Sequence, residues 1–371
     1  MRLIFRHKAI VLITLVAVLF LYGNAQDPKE KQDKQQKQEK KDETFETIRV
    51  DTDLVSIDVT VKDKSGKRGA AGLRAEDFVI YEDGIRQKIT NFSASDVPFN
   101  LTLLIDTSGS TTDDLLNIRR AARRFLEELR SEDQIAVVQF NREVDLMQKL
   151  TSNRSQIDLA LSRFKSGGGT SFYDALNLVI DDVFNEVDGR KAIVALTDGV
   201  DSYGFNTFDQ ILPELEKSGT IVYVLELDTE AYTEARMLRD CTDTTHFEFS
   251  EKQLQKYLKD YVVGGKEEDF QKHCSLGRME RMQINQKLYQ SAHKELREMT
   301  NKTGGRLYQV KDLGKLDPVY SEIAGEIRTQ YSLGYYPANE KHDGKYRTLR
   351  VEVKRPGYVG QTRPGYRAPL D

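Results

Sequence analysis

The stretch Leu101-Thr-Leu-Leu-Ile-Asp106-Thr107-Ser108-Gly109-Ser110 decides how this chain is read. Its apolar run is unbroken, which suits a parallel strand covered on both faces rather than a half-exposed one. Thr111, Thr112, Asp113 and Asp114 follow, and such residues open helices because their side chains accept from the free N–H groups of a first turn. The segment therefore predicts strand, loop and helix. In an open α/β sheet, the carboxyl edge of the strands is where ligands bind. Asp106, Ser108 and Ser110 place oxygen donors at alternate positions of that loop, and Gly109 lets the backbone bend so that both hydroxyls turn the same way. Only a hard cation wants this set. Neutral hydroxyls with one or two carboxylates fit Mg²⁺ better than Zn²⁺, which prefers imidazole and thiolate.

Asp-x-Ser-x-Ser after an apolar strand resembles the first part of the metal-ion-dependent adhesion site of von Willebrand factor A-type domains. Alone, the pentapeptide is more often a capped helix start. That family completes its site with a Thr on a second loop and an Asp after a later strand. Gly167-Gly-Gly-Thr170-Ser-Phe-Tyr-Asp174 matches the first, and Lys191-Ala-Ile-Val-Ala-Leu-Thr197-Asp198-Gly199 matches the second. The resemblance covers about residues 99–330 and implies a doubly wound, mostly parallel, Rossmann-like α/β sheet. It also implies that Ser108 and Ser110 bind the ion directly, Thr170 directly or through water, and Asp106 and Asp198 at least partly through water. The cofactor so implied is Mg²⁺, or another divalent cation such as Mn²⁺ or Ca²⁺, whose remaining position takes a Glu or Asp of a partner protein.

The 371 residues leave room for two domains, and 31% charged with 39% apolar residues is ordinary for a globular protein. A net charge of -4, with no basic stripe, argues against nucleic acid as a partner. Arg2, Arg6 and Lys8 precede an apolar run from Ala9 to Tyr22, then Gly23-Asn-Ala25. This predicts a signal peptide over residues 1–25, cleaved before Gln26, because the run is short for a membrane span. An uncleaved signal anchor is the alternative. Residues 26–46 are almost all Lys, Gln, Glu or Asp and predict a solvated tether. The expected location is the periplasm, cell envelope or exterior, with no stable membrane span after cleavage.

Two β segments flank the metal-binding region. In residues 47–98, Ile57, Val59 and Val61 alternate with polar residues, and Glu82-Asp83-Gly84 joins Phe78–Tyr81 to the run from Ile85 to Phe92 as a hairpin. In residues 331–371, Leu349, Val351 and Val353 alternate with charged residues. Gln330-Tyr-Ser-Leu-Gly-Tyr-Tyr-Pro337, together with this tail, is similar to an exported bacterial family described as von Willebrand factor A-related. Neither segment holds enough strands for its own core, so they are expected to pair into one small β-sandwich. Between them the periodicity predicts helices at 114–130 and 173–184, strands at 135–140, 192–196 and 220–227, and a last helix at 316–330. Pro213 obscures where a helix around 208–217 begins.

Residues 228–293, charged and helix-forming, read as an insertion that the core pattern does not require, either a partner-binding lid or a plain surface hairpin. Cys241 and Cys274 match no paired zinc spacing. Export would allow them one disulfide, worth about 3 to 4 kcal/mol; free thiols are the alternative. The functional expectation is an exported, cation-dependent protein-binding module and not an enzyme. The alternatives are a metal-assisted hydrolase, a structural envelope protein without metal-dependent binding, and a chelatase subunit, which fits poorly with export. His246, His273, His293 and His342 lack ligand spacing, and no Gly-x-Ser-x-Gly elbow occurs.

Overall fold

The computed structural model describes residues 54–65, 69–94, 97–266, 271–312 and 316–370. The predicted signal peptide and tether lie outside the described residues. Six strands form the central sheet in the order β10-β9-β8-β5-β6-β7. They are β5 (Phe99–Asp106), β6 (Gln134–Phe140), β7 (Val144–Thr151), β8 (Arg190–Thr197), β9 (Ile221–Leu227) and β10 (Leu307–Val310). All neighbours pair parallel except β6 with β7, where the edge strand runs antiparallel. Seven of the eight residues of β5 are buried, as its apolar run demands.

Helices cover both faces. On one, α1 (Leu115–Glu128), α2 (Arg154–Ser162) and α8 (Leu316–Arg328) bury Phe125, Leu161 and Tyr320 against Leu103 and Val194. On the other, α3 (Phe172–Leu178), α4 (Phe208–Ser218) and α7 (Arg278–Thr303) set Phe172, Leu215 and Leu296 against Leu104 and Ala195. Residues 111–114, expected to open α1, belong instead to a 3₁₀ turn over Gly109–Asp114. The Thr111 hydroxyl donates to the carbonyls of Asp106 and Ser108 and draws this turn tight. Helix α4 starts before Pro213, at Phe208, where Thr207 and Gln210 cap each other.

The helical insertion ends differently from expectation. No break falls at His293: α7 runs unbroken for 26 residues, so its first half belongs to the insertion while Leu296 and Met299 lie in the core. One helix thus carries both roles, because an amphipathic stripe continues across the expected boundary. Upstream, α5 (Glu230–Met237) and α6 (Glu251–Tyr261) pack on α7 through Met237, Leu254, Ile284 and Leu288. A disulfide joins Cys241 to Cys274 across this insertion.

The flanking β segments pair with each other. One sheet runs β13-β1-β11-β4 and the other β14-β12-β2-β3. Their strands are β1 (Val55–Asp63), β2 (Phe78–Glu82), β3 (Ile85–Gln87), β4 (Ile89–Ser93), β11 (Gln330–Tyr335), β12 (Tyr346–Val353), β13 (Tyr358–Gln361) and β14 (Gly365–Arg367). Ile57 sits opposite Leu333, and Val351 opposite Ile80, both in antiparallel register. The two sheets share a core containing Val59, Phe78, Ile80, Tyr331 and Val351. The expected single strand from Ile85 to Phe92 is split at Lys88, with β3 in one sheet and β4 in the other. The hairpin turn ahead of it places Asp83 at φ 48° and Gly84 at φ 81°, as an Asp-Gly turn between twisted strands requires.

Tyr331 holds this sandwich at its centre: its hydroxyl donates to Ala70 O at 2.8 Å and accepts from Leu73 N at 3.1 Å. Tyr331→Phe is expected to cost about 1–3 kcal/mol by orphaning those backbone groups. Tyr331→Ala should cost about 3–5 kcal/mol by also opening a cavity. Urea unfolding of the full chain measures both, and an unchanged stability in Tyr331→Phe would mean that the hydroxyl contributes nothing.

Candidate metal centre

From β5 the chain crosses over to β6 on one side, and the next parallel strand, β8, lies on the other. At such a switch point the loops part and leave a crevice beyond the strand ends. Asp106 ends β5 there and is fully buried. Its Oδ1 accepts from Ser108 N at 2.9 Å, and its Oδ2 accepts from the Thr197 hydroxyl at 2.7 Å. Thr107 turns away and donates from both N (2.8 Å) and Oγ1 (3.2 Å) to Phe140 O. The alternation leaves Ser108 and Ser110 facing the crevice with their hydroxyl oxygens 3.1 Å apart. Gly109 between them lets the Phe247 ring approach closely, since a Cβ there would lie 3.3 Å from it.

The other two loops are held equally firmly. Gly167 N donates to Thr107 O at 2.9 Å, tying the glycine loop to the first. Gly169 has φ +75°, and a Cβ on it would collide with the Tyr203 ring at 2.2 Å. Thr170 is fixed through its backbone: its N–H donates to Ser202 Oγ, and its carbonyl accepts from Ser202 N, each at 2.8 Å. Asp198 follows β8; its Oδ1 accepts from Val200 N at 3.1 Å and its Oδ2 from Ser110 Oγ at 3.2 Å. Ser108, Ser110, Thr170 and Asp198 line one cavity of about 240 Å³. Asp106 lies behind its wall, bonded to Ser108 N and to the hydroxyl of Thr197.

The structure adds residues that sequence reasoning missed. Thr229 donates to Asp198 Oδ2 at 2.6 Å, and the Tyr289 hydroxyl lies 2.9 Å from Thr229 Oγ1 and 3.4 Å from Asp198 Oδ2. Burial and the Asp198 charge push the Tyr289 phenol well above its usual range, so it remains a donor. Thr229 could have been found, because it follows β9 at the same sheet edge. Tyr289 had no local signal, coming from mid-α7.

The donor set fits a divalent cation. Asp198 is only 5% exposed and Asp106 fully buried, yet no Lys or Arg stands among the cavity's lining residues. Two buried carboxylates without a basic partner are costly unless a cation joins them. Burial, then the charge of Asp198, pushes the Asp106 carboxyl up to about 7, and burial raises Asp198 too.

Residues 100–261 match the family model of the von Willebrand factor type A domain. The chain therefore carries such a domain, an α/β unit whose sheet here closes beyond the matched region at β10. Similar solved structures include the conserved hypothetical protein BatB from Bacteroides thetaiotaomicron. It is 15% identical, with 62% of this chain and 98% of that one covered and a TM-score of 0.38. A von Willebrand factor type A protein from Catenulispora acidiphila is 12% identical over 86% of this chain and 74% of that one, TM-score 0.41. Proximal thread matrix protein 1 of the mussel byssus, solved with a zinc-occupied metal-ion-dependent adhesion site, is 12% identical over 65% and 48%, TM-score 0.42. No curated protein matches the chain.

The raised Asp106 pKa sets a pH dependence for the metal-free chain. Between the ordinary value of 3.8 and about 7 the folded state holds more protons than the unfolded one, so stability falls as pH rises through that window. Asp106→Asn should therefore raise the melting temperature of the metal-free protein at pH 7, by on the order of 2 kcal/mol in stability. The gain should vanish near pH 4, and Mg²⁺ should stabilise only the unmutated chain. A gain that is the same at both pH values would refute the ionised carboxylate as its cause.

Proposed function

We propose that this chain is an exported, divalent-cation-dependent protein-binding module, with Mg²⁺ as the cation and a Glu or Asp side chain of a partner protein as the group recruited. The observation that carries the reading is the convergence of the Ser108, Ser110 and Thr170 hydroxyls and the Asp198 carboxylate on one cavity that no Lys or Arg lines, with the buried Asp106 carboxylate just behind its wall. Ser108, Ser110 and Thr170 are the hydroxyl donors that would hold the ion, and Asp106 and Asp198 the carboxylates. The bound ion would supply positive charge that two carboxylates leave under-neutralised once their own hydrogen bonds are counted.

The rim suits a protein partner. Phe205 is 95% exposed on the loop after Asp198, whose fold is fixed by Phe205 N and Asn206 N donating to the Asp174 carboxylate at 2.9 and 2.7 Å. Beside it Tyr203 is partly exposed, with the Arg142 guanidinium 4.4 Å from its ring centre. Exposed aromatic and Arg groups next to a polar centre are typical anchors of protein interfaces. Export is supported by the basic and apolar order of residues 1–25 and by the Cys241–Cys274 disulfide, a bond at home outside the cytosol. Among the described residues, no helix is long and apolar enough to cross a membrane.

Capture of envelope proteins on the immobilised full chain tests the reading. A partner should be retained in Mg²⁺, released by EDTA, and lost with Asp106→Ala while the circular dichroism spectrum is kept. Phe205→Ser should weaken retention of the same partner roughly 10-fold or more, the loss typical of an interface anchor. Retention indifferent to both EDTA and Asp106→Ala would sink the cation-dependent mechanism.

A further inference from the structure

A second group of metal-type donors lies in the insertion, away from the five residues of the first site. Cys241, His246, Glu248 and Cys274 bring two sulfurs, one imidazole nitrogen and one carboxylate oxygen within 4.8 Å of one another. Glu248 Oε1 is 2.8 Å from His246 Nε2 and 3.7 Å from Cys274 Sγ. The other ring nitrogen, His246 Nδ1, is bonded to the carbonyl of Asp243. A carbonyl can only accept, so Nδ1 carries hydrogen, and Nε2, which donates to the Glu248 carboxylate while no metal is bound, is the nitrogen left to ligate an ion once it gives up its proton. Metal-binding histidines are commonly oriented in this way, by a backbone carbonyl on the far nitrogen. His273, though adjacent in sequence, is turned elsewhere: its Nδ1 accepts from Phe249 N at 3.3 Å and it packs in the insertion core.

We propose that Cys241, Cys274, His246 and Glu248 form a second metal site, a two-thiolate, imidazole and carboxylate site for a Zn²⁺-class cation, which opens when the Cys241–Cys274 bond is reduced by a dithiol. Softness separates it from the first centre, where the donors are all oxygens. Tetrahedral Zn²⁺ with bonds of about 2.0–2.3 Å needs ligand atoms roughly 3.3–3.8 Å apart, so the two sulfurs must part once their bond is reduced, while the imidazole and carboxylate already stand within 4.8 Å of them. Cys274 and Glu248 are exposed and the other two half-buried, which leaves both ion and reductant a way in.

The chemistry balances. The dithiol gives two electrons and two protons to the disulfide, leaving two cysteine thiols and its own sulfurs joined. Binding of the cation as two thiolates then releases both thiol protons to solvent. Oxidation reverses this and expels the ion, so disulfide and metal are mutually exclusive states of one cluster. His246, Phe247 and Glu248 also line the cavity of the first centre, so loading the second site fixes one wall of it.

Cobalt distinguishes this site from the first centre, because only thiolate ligation produces a sulfur-to-cobalt charge-transfer band. Co²⁺ is titrated into the full chain, reduced with a phosphine and then oxidised. The reduced protein should show the band saturating at one equivalent, displaced by Zn²⁺, and the oxidised protein none. Asp106→Ala should keep the band and Cys274→Ser should abolish it. His246→Ala and Glu248→Gln should weaken cobalt binding by at least about 10-fold, the lower bound for losing even an indirect ligand partner. Zn²⁺ should also slow alkylation of both thiols in the unmutated reduced protein, which needs no variant to fold. A reduced chain without the band, or one whose affinity ignores both His246→Ala and Glu248→Gln, overturns the proposal.

Discussion

The arrangement of β5 between two parallel neighbours is the constraint from which the rest follows. Its side chains are buried on both faces, so helices must cover both, and the chain leaves it towards β6 on one side and returns to β8 on the other. The parting loops create a crevice at its carboxyl end, where backbone N–H groups and hydroxyls replace water around Asp106. A carboxylate so placed is expensive, and a second one, Asp198, stands at the end of the adjacent strand. The sheet thus builds a centre of negative charge that neighbouring hydroxyls soften without neutralising it. That imbalance is one a cation would relieve, and it is a product of strand order rather than of any one residue.

The β-sandwich and the α/β unit are linked where the chain passes between them. Arg190, the first residue of β8, donates to Val97 O at 2.9 Å, before β5, and to Ile327 O at 2.7 Å, near the end of α8. One guanidinium therefore holds the outgoing and returning chain together, lying 4.0 Å from the Phe99 ring centre. Gln330 adds a second tie, donating to Tyr223 OH of the central sheet and Thr60 Oγ1 of the sandwich. Within the sandwich, Glu82 accepts from Tyr335 and Tyr366, at 2.5 and 2.8 Å, and pairs with buried Arg347 at 3.3 Å. Such a buried network favours one register for strands that each contribute only a small apolar face.

The insertion is more than a surface hairpin in its placement. Its helix α7 reaches the core at Leu296 and the crevice at Tyr289, while Phe247 packs over Gly109. The disulfide fixes the loop bearing Phe247 to the segment that precedes α7. The walls of the cavity therefore come from both the sheet edge and the insertion.

The sequence by itself determined the sheet and the donors on its loops. The apolar runs at 101–105, 135–140 and 192–196 admit little besides buried parallel strands, and Asp106, Ser108, Ser110, Thr170 and Asp198 each sit where such a strand or its helix must meet the edge. The Asp-Gly hairpin and the alternation of Ile57, Val59 and Val61 were equally legible, since turn chemistry and period 2 are local properties. Tertiary structure alone decided what lies far apart in the chain. Local pattern gave no sign that α7 would run through the expected boundary at His293, because a continuous helix and two abutting helices share one periodicity. Nor could spacing bring Tyr289 and Thr229 to Asp198, or join Cys241 and Cys274 beside His246 and Glu248. Those meetings depend on how the insertion folds back over the sheet edge, a packing choice set by Met237, Leu254, Ile284 and Leu288 together, and no short stretch of sequence contains it.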